Sequence, residues 1–273
     1  LLAETVGEDP SFLLDARPVD DKGRYLHWDE MQHRVPPGGL THRRWWLSTT
    51  LARRSMARDL PLIGNDGRPF RFCNVDAIQR LVHLIDQQAG GHILTDEVVT
   101  NLRSSDRYLV SSLIEEAITS SQLEGASTTR RVAKQLLQSG RAPRGRGEQM
   151  IVNNFKAMQV AQEIAQRPLD VETVRYLHAT VTADALDDPA DAGRVQVADE
   201  ERIALYWPTD NALLHRPPPA DQLPERMRQM CAFANGLETE GFIHPVVRAI
   251  IVHFWLAYDH PFVDGNGRTA RAL

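Results

Sequence analysis

The residues with the clearest chemical potential lie together near the end of the chain, in the stretch HPFVDGNGRTAR at positions 260–271. Pro261 cannot continue a helix without losing a backbone hydrogen bond, so we expect the chain to break into a loop after the histidine. Gly265 and Gly267 flank Asn266 and permit backbone conformations that are closed to other residues. The residues that follow favour a new helix. Backbone N–H groups would then converge on an anion where that helix begins.

The charged side chains of the same stretch predict chemistry at a phosphate. Arg268 and Arg271 are three residues apart, so both would lie on one helical face and offer forked donors to phosphate oxygens. Asp264 would repel a phosphate unless a cation lies between them, and Mg²⁺, which prefers oxygen ligands, fits that position. His260 titrates near neutral pH and could take a proton from an attacking hydroxyl group. The stretch therefore predicts group transfer at phosphorus, with a nucleoside triphosphate as the donor.

Each part of this stretch, taken alone, is more typical of structure than of catalysis. A single Asp-Gly or Asn-Gly pair usually forms a turn, and a His-Pro pair occurs again at 244–245 without any sign of chemistry. His253, in the apolar segment before the stretch, is predicted to be a packed core residue. The contiguity of a base, an acid, two glycines and two arginines favours a functional role over a structural one.

The composition narrows the class of protein. The chain has 273 residues, a formal net charge of −5, 42% hydrophobic residues and 25% charged residues. No apolar run approaches the roughly 18 residues that a membrane helix needs, and the negative charge gives no broad attraction to nucleic acid. Cys73 and Cys231 are far apart, which argues against a disulfide framework or a zinc site. We expect a cytoplasmic protein with neither a membrane nor a nucleic acid as its partner.

The elements that must position these residues are mainly helices. Apolar residues at three- and four-residue spacings predict a helix at about 112–125, where Ser120 and Glu124 share a face and Gly125 ends the helix. Thr128 or Thr129 is a candidate N-cap of the next helix, and Asp170 of a later one. The segment before His260 is apolar nearly all round, which predicts a helix in the middle of the core.

Two hairpins interrupt this helical pattern. A turn is expected at residues 65–67, and a second hairpin at about 194–208, where two short β-prone segments flank a charged turn. Residues 1–92 are expected to form a small separate domain to which the sequence assigns no function. His27, Trp28, Trp45 and Trp46 in this domain are interpreted as core residues.

At the stretch 260–271 the sequence resembles the Fic family, whose signature is His-Pro-Phe, any residue, Asp or Glu, Gly-Asn-Gly-Arg, two residues and Arg. Every defined position of the signature is matched. The resemblance implies a mainly α fold, in which a Fic-type helical core at 93–273 carries a β-hairpin flap at about 194–208. It also implies that residues 1–92 are an accessory domain of the kind found in some bacterial members.

The family resemblance also implies an activity, namely protein adenylyltransfer from ATP with Mg²⁺. His260 would deprotonate a Ser, Thr or Tyr hydroxyl of a target protein docked at the flap, and the hydroxyl would attack the α-phosphate. Asp264 would hold Mg²⁺. The loop at 265–267 would cradle the phosphates, and Arg268 and Arg271 would bind the outer ones. Self-modification and oligomerisation are compatible with this prediction.

A second family feature lies upstream of the signature. Many members carry an inhibitory helix with Ser or Thr, three residues, Glu, and then Gly or Asn, and Ser120, Glu124 and Gly125 fit this pattern. The resemblance implies that Glu124 pairs with Arg271 and blocks productive placement of the ATP γ-phosphate. Without the family, Glu124 would be interpreted as a solvated charge near a helix end.

Two other functions stay open at this point. Glu124 could position a water molecule, so that the working reaction is the removal of AMP from a modified protein. The phosphate site could also serve a nucleotide-sensing module without turnover, although binding alone does not need the base His260.

Finally, the chain lacks an initiating Met, and family members extend the helix after the second arginine, so we expect the natural protein to begin earlier and to continue beyond Leu273.

Overall fold

A computed structural model describes residues 10–89, 102–206, 211–237 and 241–273, with side chains described except at 89 and 102–110. The chain forms two compact units, Leu1–Leu94 and Thr95–Leu273. The predicted domain boundary between residues 92 and 93 lies outside the described residues. Within the described ranges, no helix combines the length and the apolar character needed to cross a membrane.

The N-terminal unit combines three helices with one hairpin. In chain order, its elements are α1 (Trp28–Met31), α2 (His42–Met56), β1 (Ala57–Ile63), β2 (Pro69–Cys73) and α3 (Asp76–Ala89). The two strands pair antiparallel around the turn predicted at residues 65–67, which confirms that prediction. Leu26, Met31 and Trp45 form a buried cluster, in agreement with the interpretation of Trp45 as a core residue.

The C-terminal unit is mainly helical, as predicted from the sequence. Its elements are α4 (Leu102–Leu123), α5 (Arg130–Ser139), α6 (Arg146–Ile164), α7 (Val171–Thr182), β3 (Leu205–Tyr206), β4 (Leu213–His215), α8 (Leu223–Ala234), α9 (Pro245–Asp259) and α10 (Asn266–Ala272). Thr129 stands at the N-cap of α5, and the Asp170 side chain accepts a hydrogen bond from the Thr173 N–H at 2.7 Å at the start of α7. Both predicted N-caps are confirmed.

The packing of these helices brings α4 and α10 into contact with each other and with α6. Ile114 and Ile118 of α4 join Ala133 of α5 and Ile151 of α6 in one buried cluster. The short helix α10 contacts α9, α7, α6 and α4. Phe262, in the turn before α10, is completely buried. The end of the chain is therefore held within a group of four helices, one of which carries the predicted inhibitory residues.

The second hairpin differs from its predicted position. β3 pairs with β4, so the hairpin spans 205–215, and only its first strand falls within the predicted range of 194–208. Residues 207–210 lie outside the described residues. The first β-prone segment instead forms a tight turn, in which the Glu200 N–H donates to the Val197 carbonyl at 3.0 Å, and the Gln196 N–H donates to the Pro261 carbonyl at 2.9 Å. Hydrogen bonds to the loop after α9 therefore replace strand pairing in this segment.

The helix α9 is also less buried than predicted. Val252, Trp255 and Leu256 face the core, whereas Ile250 is 63% exposed. His253 is not a core residue, because it is exposed and one of its ring nitrogens lies 2.9 Å from the Ala270 carbonyl. The prediction was wrong because the apolar composition of the helix does not reveal that only one side is covered.

Candidate active site

The site begins where α9 ends. His260 follows the last residue of α9 in a left-handed backbone conformation, with φ 48° and ψ 55°, and its N–H donates to the Leu256 carbonyl at 2.8 Å. Residues other than glycine rarely adopt this backbone conformation. Pro261 then prevents the helix from continuing, as the sequence predicts. The histidine is therefore fixed at the C-terminal end of a helix that is buried on one side, at the start of a sharp turn.

Two side chains clamp the turn that follows. The Asn266 carboxamide accepts from the Phe262 N–H at 3.0 Å and donates to the Phe262 carbonyl at 2.7 Å. The His178 ring stacks on the Phe262 ring, with centroids 3.7 Å apart. Both polar atoms of Asn266 are thus engaged with the backbone of the turn. The predicted role of Asn266 in phosphate binding must therefore fall to its backbone, because its side chain holds the loop.

His178 is a residue that the sequence did not single out. Its Nδ1 accepts from the Gly193 N–H at 2.9 Å, so in the neutral ring the proton is on Nε2, which donates to the Asp264 carbonyl at 2.8 Å. Burial lowers the pKa of His178 to about 4, from its ordinary value of 6.5. The ring is therefore a neutral bridge that ties the turn to α7.

Gly265 is required at the start of α10 for two reasons. It has φ +82°, which favours glycine, and a Cβ atom there would lie 2.5 Å from Cγ2 of Thr182. This close approach brings the last turn of α7 against the loop. The helix that follows has only seven residues, so its dipole is small, and the predicted binding of an anion would rest mainly on the arginine side chains.

The two arginines of the stretch differ in burial. The Arg268 side chain is 2% exposed, and it donates to the Val181 carbonyl at 3.1 Å and weakly to the Asp264 carboxylate at 3.4 Å. Its buried Nε has no hydrogen-bond partner among the described residues. Burial lowers the pKa of Arg268, although an arginine stays protonated at neutral pH. An unused buried donor on a guanidinium is what a site prepared for an anion would contain.

Arg271 lies one turn further along α10 and contacts the end of α4. Its Nε donates to the Ser120 hydroxyl at 2.8 Å, and its Nη2 lies 2.5 Å from a carboxylate oxygen of Glu124. The same carboxylate lies over Gly267: a Cβ atom at that glycine would be 3.3 Å from Cδ of Glu124 and closer still to Oε1. The absence of a side chain at 267 therefore leaves the space that the carboxylate fills.

The end of α4 is held firmly in this place. Ser121 is buried, and its hydroxyl accepts from the Asn154 carboxamide of α6 at 2.8 Å and donates to the Ala117 carbonyl at 2.7 Å. Gly125, with φ +87°, ends the helix in a left-handed turn, and the Ala126 N–H returns to the Ser121 carbonyl at 3.0 Å. The three residues of the predicted inhibitory pattern, Ser120, Glu124 and Gly125, are thus brought to the predicted phosphate site.

Asp264 is the remaining charged residue of the stretch. Its side chain is 46% exposed, and one oxygen accepts from the Gly265 N–H at 2.6 Å. The other oxygen lies 3.3 Å from Nη2 of Arg146 and 3.4 Å from Nη2 of Arg268. The described residues contain no group of three or more metal-binding side chains, and a single accessible carboxylate fits Mg²⁺ only where phosphates supply further oxygens. The residues present therefore fit a metal that arrives with a nucleotide.

The surroundings of His260 keep its imidazole neutral. Burial is the largest cause that lowers its pKa, and the charges of Arg202 and His215 act in the same direction. The carbonyl of Ala257 hydrogen bonds to the ring, which leaves the other ring nitrogen as an acceptor when the ring is neutral. The charge of Asp264 opposes the downward shift. A partly buried neutral imidazole with one vacant acceptor is suited to take a proton.

Several supporting residues escaped the sequence reasoning. Below His260, Asp259 forms a buried ion pair with Arg226 at 2.7 Å and accepts from the Trp255 indole at 3.0 Å, and burial raises the pKa of this carboxyl group. Arg202 donates to the backbone carbonyl of His260 at 2.9 Å. No fixed spacing connects these residues to the stretch. Only the buried positions of α7, four residues apart, carried a signal that could have drawn attention to His178.

The hairpin of β3 and β4 lies beside this turn. The Nε2 of His215, at the end of β4, donates to the carbonyl of Tyr258, two residues before His260, at 2.7 Å. Tyr206, Leu213 and Leu214 on the hairpin are each about half exposed, with Tyr206 at 48%. The hairpin therefore presents apolar side chains near the end of α9.

Comparison with known proteins identifies this arrangement. Residues 168–273, which contain α7 to α10, the hairpin and the stretch 260–271, match the family model described as Fic/DOC family. The chain carries a Fic domain.

Relatives with curated descriptions cover only part of the chain. The chain is 30% identical over 105 residues to the protein adenylyltransferase fic-1 of Caenorhabditis elegans, a match that covers 38% of this chain and 18% of that protein. It is 34% identical over 107 residues to the protein adenylyltransferase Fic of Nematostella vectensis, which covers 38% of this chain and 22% of that protein. The chain thus spans about a fifth of the length of these relatives.

Solved structures agree with the fold over a longer range. A structure of Fic-1 (aa134–508) from C. elegans matches with a TM-score of 0.53 and 20% identity, over 86% of this chain and 61% of that one. A Fic domain containing signaling protein from Bacteroides thetaiotaomicron matches with a TM-score of 0.54 and 21% identity, over 63% and 64% of the two chains. At this identity the likeness establishes the fold alone.

Proposed function

We propose that this Fic domain transfers AMP from ATP to a hydroxyl group of a protein, and that Glu124 inhibits the transfer by occupying the place of an outer phosphate. The observation that carries the proposal is the position of the Glu124 carboxylate, which lies over Gly267 and on the guanidinium of Arg271. A carboxylate and a phosphate satisfy the same guanidinium fork, so the two compete for one place. The names of the relatives, protein adenylyltransferases, support the choice of reaction.

The proton chemistry belongs to His260. Its neutral imidazole accepts the proton of the attacking hydroxyl group, whose oxygen forms a bond to the α-phosphorus of ATP. The bond from that phosphorus to the bridging oxygen breaks, and diphosphate leaves with the electron pair. The products are the AMP ester of the protein hydroxyl and free diphosphate. Because burial lowers the pKa of His260, the base is available at neutral pH.

The phosphate chain is held by side chains of α10 and of the turn before it. Arg268 offers its unused buried Nε, and Arg271 offers the fork that Glu124 now fills. Asp264 presents the carboxylate that would hold Mg²⁺ together with phosphate oxygens. When bound, Mg²⁺ supplies neutralisation of the phosphate charge. The Asp264 carboxylate must then loosen its contacts to Arg146 and Arg268, which at 3.3 and 3.4 Å are already long.

The target hydroxyl reaches this site along the hairpin of β3 and β4. The exposed apolar side chains of the hairpin offer contacts to an extended segment of the target, and the outer edges of the two strands offer backbone pairing to it. A target that is another copy of this chain is compatible with the same route, and self-modification is then an intermolecular reaction.

The decisive experiment compares Glu124→Ala with Glu115→Ala, two identical substitutions on the same helix. Glu115 pairs with Arg130 at the surface rather than with Arg271. Each protein is incubated with Mg²⁺ and either α- or γ-labelled ATP, and label on protein is followed by gel. We expect label from α-labelled ATP to rise at least about tenfold in Glu124→Ala, since a competing charge-assisted contact is removed. Glu115→Ala should give the same label as the wild-type chain. Adding His260→Ala to Glu124→Ala should abolish the label.

Other outcomes would redirect the proposal. Label from γ-labelled ATP alone would mean phosphate transfer and would contradict AMP transfer. If the wild-type chain releases AMP from an AMP-bearing protein and Glu124→Ala does not, the reaction is the removal of AMP instead. Binding of ATP without any transfer in Glu124→Ala would indicate a nucleotide-sensing module.

A further inference from the structure

Arg202 connects the segment before β3 to the turn that carries His260. Its Nη2 donates to the His260 carbonyl at 2.9 Å and also to the Asp259 carbonyl. Its Nε donates to the Pro218 carbonyl at 2.9 Å, and its Nη1 donates to the Gln196 carboxamide. One guanidinium therefore joins four separate points of the backbone and side chains around the end of α9.

The chemistry of these partners is unusual for an arginine. All four acceptors are neutral oxygens, three of backbone carbonyls and one of a carboxamide. Burial is the largest influence on this guanidinium and lowers its pKa, while the charges of Asp259 and Glu200 favour the protonated form. A planar fork with five donors can serve such divergent acceptors, whereas a lysine ammonium cannot reach them in the same fixed geometry.

Two of the three carbonyls that Arg202 binds, those of Asp259 and of His260 itself, flank the Cα atom of the left-handed residue His260. The last carbonyl groups of a helix have no partner within the helix, and here the partner is a side chain from another part of the chain. His260 has φ 48° and ψ 55°, a conformation that a histidine adopts only where its surroundings hold it. Releasing both carbonyls would therefore allow the turn to relax and the imidazole to move.

We propose that Arg202 is a positioning residue for His260, because its guanidinium holds the left-handed turn that sets the place of the imidazole. The charge of the same guanidinium has a second effect, since a fixed cation close to the ring disfavours protonation of the ring. Arg202 thus orients the base and keeps it free of a proton. This inference rests on the proposed function, in which His260 accepts the proton of the attacking hydroxyl.

The groups around His260 make the electrostatic effect separable. Burial is the largest cause that lowers the pKa of His260, and the charges of Arg202 and then His215 lower it further. The hydrogen bond of the ring with the Ala257 carbonyl and the charge of Asp264 raise it. Asp259, the neighbouring acid, is neutralised by its buried ion pair with Arg226. Removing the Arg202 charge should therefore raise the pKa of His260, and a lysine at 202 should leave that pKa closer to its original value.

The experiment uses the full chain with Glu124→Ala as the parent protein. Arg202→Gln removes the fork and the charge, Arg202→Lys removes the fork alone, and Arg228→Gln is the matched control, an exposed arginine of α8 that pairs with Glu225. Two quantities are measured in each protein. The first is the pKa of His260 by NMR, with the ring signal assigned through His260→Ala. The second is the single-turnover rate of AMP transfer as a function of the ATP concentration.

For Arg202→Gln we expect a raised pKa of His260 and a saturated rate that falls on the order of 10- to 100-fold, because the base is misplaced. The ATP concentration at half saturation should change by less than about twofold, since the phosphate contacts are untouched. Arg202→Lys should lower the rate with little change in the pKa, and Arg228→Gln should change neither quantity.

The inference is overturned if Arg202→Gln matches Arg228→Gln in both the pKa of His260 and the saturated rate. It is equally overturned if only the half-saturating ATP concentration changes. Should Arg202→Gln fail to fold, Arg202→Lys decides, because a parental rate in that protein would show that the fork is not needed. If the parent transfers no AMP, the proposed function fails, while the NMR titration still tests the coupling of Arg202 to His260.

Discussion

The turn at 260–266 and the hairpin at 205–215 lie side by side but are built in opposite ways. In the turn, Asn266 and His178 both use all their polar ring or amide atoms to hold backbone groups, and Phe262 is completely buried. In the hairpin, two short strands pair through a shifted register, and the apolar side chains are exposed. The turn is held in place by many internal contacts, whereas the hairpin leaves apolar side chains exposed to other molecules.

This difference indicates a division of labour within the proposed reaction. Proton and phosphoryl chemistry depends on positions held within fractions of an ångström, which requires a rigid support. Recognition of a protein segment tolerates adjustment and benefits from free strand edges and apolar side chains. Changes in the turn should therefore affect stability and catalysis together, whereas changes in the hairpin should affect only the choice and binding of the target.

The largest effect is expected from Gly265→Ala, which adds one methyl group to the turn. The positive φ costs about 1 to 2 kcal/mol for a residue with a Cβ. The contact with Thr182 adds about 1 to 3 kcal/mol of overpacking, so the free energy of unfolding should fall by about 2 to 5 kcal/mol. Gly140→Ala is the matched control, with φ +65° but open space around its Cβ position, and should lose only the conformational part. Urea unfolding measures both, and equal losses in the two proteins would show that the close approach to α7 is not tight.

A slightly smaller effect is expected on acidification, through His178. Its folded pKa of about 4 lies below its ordinary value of 6.5, so on acidification the unfolded chain binds the proton first. The free energy of unfolding should therefore decrease as the pH falls from 6.5 to about 4, by about 3 kcal/mol from this residue. His178→Gln should lose this part of the pH dependence, and His83→Gln, at an exposed position of α3, should retain it. A slope against pH that is the same in all three proteins would contradict the neutral bridge.

The smallest effect on stability is expected in the hairpin. Leu214→Ser replaces an exposed side chain, so the free energy of unfolding should change by less than about 0.5 kcal/mol. Transfer of AMP to a protein target should nevertheless weaken by about tenfold in the Glu124→Ala background, since lost apolar contacts of this size cost about 1 to 2 kcal/mol of binding. Leu81→Ser, an equally exposed leucine of the N-terminal unit, is the control. Loss of stability with unchanged transfer would reverse the proposed division between turn and hairpin.

The sequence predicted those parts of the site that are contiguous along the chain. The break at Pro261, the glycine at Gly265 and the arginines of α10 follow from local rules on helices and turns, and each is found where those rules place it. Glu124 was predicted from the family pattern, because three residue types at a fixed spacing identify that pattern. The local sequence does not reveal that Arg271 is the partner of Glu124. Local chemistry and pattern therefore sufficed for the residues that face the proposed nucleotide.

The residues that support the site could not be predicted, because their partners lie far away in sequence. Arg202 is 58 residues from His260, and Asn154 is 33 residues from Ser121. Such pairs have no periodicity, and an arginine that binds carbonyl groups looks the same in a sequence as one on the surface. The predicted position of the second hairpin was wrong for the same reason, since the hydrogen bond from the Gln196 N–H to the Pro261 carbonyl engages the segment that was expected to form a strand.

The position of the Glu124 carboxylate over Gly267 has a thermodynamic consequence for the proposed inhibited state. A carboxylate that belongs to the same chain competes at an effective concentration fixed by the fold, and this concentration does not vary with that of any solute. The apparent affinity for a rival anion is then reduced by the fraction of molecules in which the carboxylate has withdrawn. A rise in nucleotide concentration can only shift this balance gradually. A force or a contact that displaces the last turn of α4 would change it at once, because Ser120 and Glu124 would leave Arg271 together.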